Sequence, residues 1–229
     1  MFQEDVHVKM IEMNPVANTC MMRRVGMIKL PIKDLELKLG KTLKRNFVSI
    51  GIDTATTTGI GIISANDKEV EIDWSLIKFE ANSQIELYKQ MYYEFQNIID
   101  ESVDFVVVEN VFLSMNPDVT IKLARFGGLA MACAINKSVK FETIGASSSR
   151  AKLFTLDRKK YKGKPKEAVA DYLKSIGIEI DEDNCADGVI LALLGIIEGM
   201  DFRSATEIAK EKKSVKKLKT KKKRRSNAL

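Results

Sequence analysis

Cysteine is scarce in this chain and never clustered: Cys20, Cys133 and Cys185 stand far apart, with no C-x-x-C pair. That excludes a disulfide framework and a cysteine-held zinc site, and it fits a reducing, intracellular setting. Long apolar runs are missing too. The longest, Gly188 to Ile197, is ten residues, about half of what a membrane helix needs. The N-terminus shows no basic-then-apolar leader pattern, so the expectation is a soluble protein with no membrane partner. Histidine is reduced to His7, in the least patterned segment, and no role is assigned to it.

What is plentiful is positive charge, and it is localised. The 37 Lys and Arg exceed the 31 Asp and Glu, for a net charge of +6. Residues 210–229, "KEKKSVKKLKTKKKRRSNAL", hold eleven of the bases and one acid, leaving residues 1–209 with a net charge of −4. Such a run is too charged to fold alone, so residues 204–229 are expected to be a disordered tail. It reads as a non-specific anchor on nucleic acid or a localisation signal, with a solubilising tail as the alternative.

Residues 1–45 hold six of the ten methionines and have no clean period, and they are expected to be an extension of unclear structure. Within them, residues 32–46 predict an amphipathic helix ending near Gly40. From Asn46 the pattern sharpens into one folded domain, residues 46–203. Phe47 to Asp53 alternates as a strand, Gly59 to Ser64 as a second, and "EVEIDWSLIKFE" as a third after an Asn66-Asp67 turn. "SQIELYKQMYYEFQNIIDE" has helical spacing. "DFVVVEN" is a β-branched run suited to a buried parallel strand. A helix from Pro117, a strand "SVKFETIG", a helix "PKEAVADYLKSIG" and an apolar helix "DNCADGVILALLGIIEGM" complete the order. Hairpins followed by right-handed crossovers give an α/β fold, a mixed five-stranded sheet flanked by helices.

In such a sheet the first and fourth of these strands are parallel neighbours, so Asp53 and Glu109 end side by side. Neither has a Lys or Arg close in sequence, and a buried unpaired carboxylate costs several kcal/mol. Asp183 and Asp187 lie four apart, on one face if both are helical. If that face looks at the strand ends, four carboxylates converge, and oxygen-only ligands select Mg²⁺ or Mn²⁺. Asp183 has a second reading, as a residue that complements the helix dipole. Glu109 has one too, as a solvated strand end. Asp187 sits inside an otherwise apolar helix, which argues against a merely solvated position.

"SIGIDTATTTGIGII", "FVVVENVFLSMNPDVTIKLARFGGLAMACAIN" and "ADGVILALL" resemble the RuvC-like Holliday junction resolvases of the ribonuclease H-like superfamily. The similarity covers roughly residues 46–200, in the right order. The resemblance implies that Asp53 bridges two metals and that Glu109 and Asp187 hold one each. The family usually has a further acid or a histidine three residues before the last carboxylate; here that position is Asn184. Either Asn184 takes a weaker neutral role, or Asp183 reaches the metal from one residue earlier, which is the reading preferred. Phe112 matches the aromatic that the family sets against unstacked bases, with a core phenylalanine as the alternative. Lys166 resembles a lysine kept near the scissile phosphate. The segment around it, with Arg150, Lys152 and Lys164 among its bases, suits a phosphodiester substrate. Lys122 and Arg125 of the Pro117 helix are counted with the DNA-binding bases.

The resemblance further implies hydrolysis of DNA with two Mg²⁺ ions, Mn²⁺ substituting, held about 4 Å apart. It implies a branched, four-way-junction substrate and a homodimer, because resolution needs two symmetry-related nicks. The Pro117 helix or the tyrosine-bearing helix before it would supply the two-fold contact. Three other readings stand beside this one. They are a ribonuclease H-like enzyme on RNA–DNA hybrids or flaps, a non-catalytic branched-DNA-binding protein, and an actin-like ATPase. The last is disfavoured because that fold needs two such domains.

Overall fold

A computed structural model describes residues 21–111, 116–155, 157 and 160–203. The strands are β1 (Met21–Pro31), β2 (Phe47–Asp53), β3 (Thr57–Ala65), β4 (Glu69–Lys78), β5 (Phe105–Glu109) and β6 (Lys140–Ile144). The helices are α1 (Ile32–Leu39), α2 (Gln84–Ile98), α3 (Pro117–Asn136), α4 (Ala146–Leu153), α5 (Pro165–Ser175) and α6 (Asp183–Ile196). The strand order is β1-β4-β3-β2-β5-β6. Pairing is antiparallel from β1 through β2 and parallel from β2 to β5 to β6.

The mixed sheet expected from the pattern is present, with six strands rather than five. The added strand, β1, comes from the segment read as an extension. It runs antiparallel along β4 from Met21 opposite Lys78 to Pro31 opposite Glu69. No alternation announces it, because it is an edge strand whose apolar side chains are shared between core and solvent; Met22 and Met27 are both 45% exposed. A register shift between Arg24 and Gly26 lets the Trp74 ring lie against the strand. A Cβ at Gly26 would fall 2.6 Å from Trp74 Cε2, so only glycine fits. Helix α1 follows as predicted and ends at Gly40, which takes the left-handed conformation (φ 62°) that favours glycine at helix C-termini.

Period two decides what each sheet face does. Ile50, Ile52, Ile60, Val106 and Val108 belong to the core beneath α2 and α3, with Met91, Phe95 and Phe126. Their alternates, Ile63, Ile72 and Val107, belong to the second core with α1, α5 and α6. Helix α6 is buried from Cys185 to Ile196, which is why its sequence is apolar on every side.

That helix lies unusually near the sheet, and glycine is the reason. Gly51 pairs with Gly61, and Asp53 with Gly59, across β2 and β3. A Cβ on Gly51 would run into the Gly188 carbonyl and the Ala192 amide, and one on Gly59 into the Asn184 carbonyl. A Cβ on Gly61 would lie 2.6 Å from Val189 Cα. The three glycines make a trough, and α6 presents its own Gly188 to it.

Candidate active site

Ser49, Gly51 and Asp53 alternate with Ile50 and Ile52, so Asp53 faces the α6 side of the sheet. The same parity carries Val107 and Glu109 to that side on β5. Ile52 is in register with Val108, which sets Asp53 and Glu109 next to each other at the C-terminal ends of two parallel strands. The glycine trough then brings the first turns of α6 down over them. Asp187, in the second turn, is 9% exposed. The β2–β3 turn is closed by its own threonine: Thr58 Oγ1 donates to Ala55 O at 2.6 Å and accepts from Ala55 N at 3.3 Å.

The three carboxylates act on one another. Burial, and then the charge of Asp187, pushes Asp53 up to about 6, with Lys166 and Arg150 drawing it back. Burial pushes Glu109 up to about 8, reinforced by the charges of Asp53 and Asp187. The two side chains also act directly on each other. Two acids buried this close resist double ionisation and share one proton.

Asp187 has a different partner. Arg150 Nη2, from α4, lies 2.9 Å from Oδ1 and 3.0 Å from Oδ2, and the two side chains are 15% and 12% exposed. Arg150, counted from the sequence among the bases facing DNA, is in this structure the cation paired with Asp187. No spacing rule joins residues 37 apart, and α4 carries no helical pattern of its own because only Ser149 and Leu153 are buried along it.

The other residues singled out are distributed as follows. Lys166 reaches the site electrostatically through Asp53, and its Nζ is 3.2 Å from Asp183. Asp183 is about half exposed beside that lysine. Asn184 Nδ2 donates to Thr57 O at 3.0 Å, tying the start of α6 to β3. Lys152 donates to Arg203 O, Lys164 pairs with Glu167 at 2.8 Å, and Arg125 donates to Tyr88 Oη at 3.3 Å. Lys122 stands 5.6 Å over the Phe126 ring. Phe112, Arg158, Lys159, His7 and the basic tail lie outside the described residues.

The donor chemistry fits a hard divalent cation: three carboxylates converge with too little positive charge to satisfy them, and burial holds two of them above their ordinary range. Among the described residues, no three His, Cys, Asp or Glu side chains stand at ligand spacing for a metal. Both Asp187 oxygens are engaged by Arg150.

An antiparallel meander feeding parallel crossovers, with acids at the ends of the first and central parallel strands and on a covering helix, defines a ribonuclease H-like fold. A model of the crossover junction endodeoxyribonuclease RuvC family matches residues 49–193. The chain belongs to that family. It is 34% identical to the RuvC crossover junction endodeoxyribonuclease of Acinetobacter baylyi over 90 residues, which is 38% of this chain and 50% of that protein. The match therefore spans half the length of that relative. In structure the chain is similar to Thermus thermophilus RuvC. The TM-score is 0.51 at 16% identity for RuvC in complex with Holliday junction substrate, covering 64% of this chain and 91% of that one. For RuvC alone the TM-score is 0.50 at 18% identity, covering 64% and 92%.

Proposed function

We propose that this protein is a divalent-metal-dependent endonuclease that resolves four-way DNA junctions. The observation that carries the reading is the convergence of Asp53, Glu109 and Asp187 at the strand ends under α6, in a chain of the RuvC family. Mg²⁺, with Mn²⁺ as a substitute, suits an all-oxygen donor set. When bound, one or two such ions would supply an activated water and stabilise the leaving oxygen of an in-line displacement.

The chain's own residues prepare the rest. Asp53, Glu109 and Asp187 are the residues that would hold the metal. Asp53 and Glu109 must give up the proton they share before both can ligate. Lys166, half exposed at the mouth of the site, sits where a phosphodiester would arrive and offsets charge accumulating on its oxygens. Asp183 holds that lysine in place rather than ligating, and Asn184 anchors the helix. The tail, residues 210–229, adds sequence-independent affinity for the DNA backbone.

Paired nicks need two sites. Ile121, Arg125, Ala132 and Ile135 line one exposed stripe of α3, with Ile121 48% and Ile135 64% exposed. This helix is the surface through which a homodimer would form, and light scattering on Ile135→Glu tests it.

The function is tested on a synthetic four-way junction beside a matched linear duplex, with Mg²⁺ or Mn²⁺. Symmetric paired nicks confined to the junction, and lost in Asp53→Asn, are expected. Equal cutting of linear duplex, or faster cutting of an RNA–DNA hybrid, would replace the junction as substrate. Tight binding with no nicks would leave a DNA-binding protein on a nuclease fold.

A further inference from the structure

Arg150 is placed where a nuclease metal would have to work. Its Nη2 spans both oxygens of Asp187, at 2.9 and 3.0 Å, in a pair with little solvent access. The guanidinium is poorly satisfied there: Nε is buried without a hydrogen-bond partner, and Asp187 uses a single nitrogen of the fork. A buried orphan donor is costly, so this resting position is one the side chain can be drawn from. It is carried by α4, which has only Ser149 and Leu153 buried and no side-chain cap at its start.

The two occupants of Asp187 exclude each other. A hard divalent ion binds carboxylate oxygen at about 2.0–2.1 Å, and a guanidinium bridging the same two oxygens both blocks that approach and repels the ion. A phosphodiester offers the released guanidinium two oxygens for two parallel N–H donors, Nε among them, where the contact with Asp187 engages Nη2 alone.

We propose that Arg150 is a gate on the metal site: it occupies Asp187 as a stand-in cation and transfers to a DNA phosphate when metal enters. Metal and DNA then favour each other's binding, because each pulls Arg150 off the position that opposes the other, and the coupling is reciprocal. The gate rests on the nuclease reading above, and it makes Arg150 a positioning residue.

The test is Mn²⁺ titration of the DNA-free protein, followed by electron paramagnetic resonance or calorimetry, with thermal melts to show that each variant is folded. Arg150→Gln should bind Mn²⁺ on the order of tenfold tighter than wild type. Arg150→Lys, which keeps the charge on a head that cannot make two parallel N–H bonds to a phosphate, should bind Mn²⁺ closer to wild type than Arg150→Gln does. Lys166→Gln removes a neighbouring charge without freeing Asp187 and should tighten binding less than Arg150→Gln. If Arg150→Gln binds Mn²⁺ equally or more weakly, the gate is overturned and Arg150 is a structural prop for Asp187. If neither wild type nor variant binds Mn²⁺, the nuclease reading falls with it. With Ca²⁺ as the added metal, four-way-junction affinity should drop several-fold in Arg150→Gln. Unchanged affinity would overturn the transfer to phosphate.

Discussion

Asp53 and Glu109 lie side by side at the ends of two parallel strands, because the residues before them, Ile52 and Val108, are in register. Both groups titrate above their ordinary range in the folded protein. A carboxyl raised on folding contributes stability that is complete below its unfolded pKa and is lost as pH rises through the folded value. The metal-free protein therefore carries a cost of burying and crowding these charges that grows from about pH 4 to about pH 8.

Asp53→Asn reduces that cost. In EDTA at pH 8 its melting temperature should exceed wild type by on the order of 3 °C, and the difference should shrink toward zero near pH 4. Cleavage should be abolished while junction binding persists. A variant that melts below wild type at pH 8 would mean that the carboxylates do not repel.

Asp187→Asn removes the same charge with the opposite result. It leaves Arg150 largely buried without its counter-ion, which costs about 1–3 kcal/mol. Its urea midpoint should fall at neutral pH with the slope unchanged. Equal stability of the two variants would show that Arg150 relaxes into solvent freely.

Gly51→Ala tests the trough. Its Cβ would collide with the backbone of α6 at Gly188 and Ala192, and backbone cannot swing aside as a side chain does. A loss of about 1–3 kcal/mol is expected, together with weakened metal binding because Asp187 moves with the helix. Mn²⁺ affinity that survives the substitution would separate the site from the trough.

Truncation after residue 209 removes eleven bases. The slope of log affinity against log salt, about −0.9 per phosphate contact neutralised, should become shallower by several units, and the preference for junction over duplex should rise. An unchanged slope would show that the tail does not touch DNA.

The sequence by itself determined where the candidate site's carboxylates lie. Period two in "SIGID" and "FVVVE" sends Asp53 and Glu109 to one face at one edge, and Asp187 in an apolar helix has few ways to be accommodated other than in a shared polar site. These are local patterns, and they survive translation into the sheet and into α6. Tertiary structure alone decided the partners. Arg150 meets Asp187 because α4, a helix with almost no buried face, packs beside α6. Helix α6 reaches the strand ends because Gly51, Gly59 and Gly61 leave it room. β1 joins the sheet through its backbone pairing with β4 rather than through a pattern of its own. Each of these depends on which surfaces meet across the chain, and the spacing of residues along one element carries no record of that.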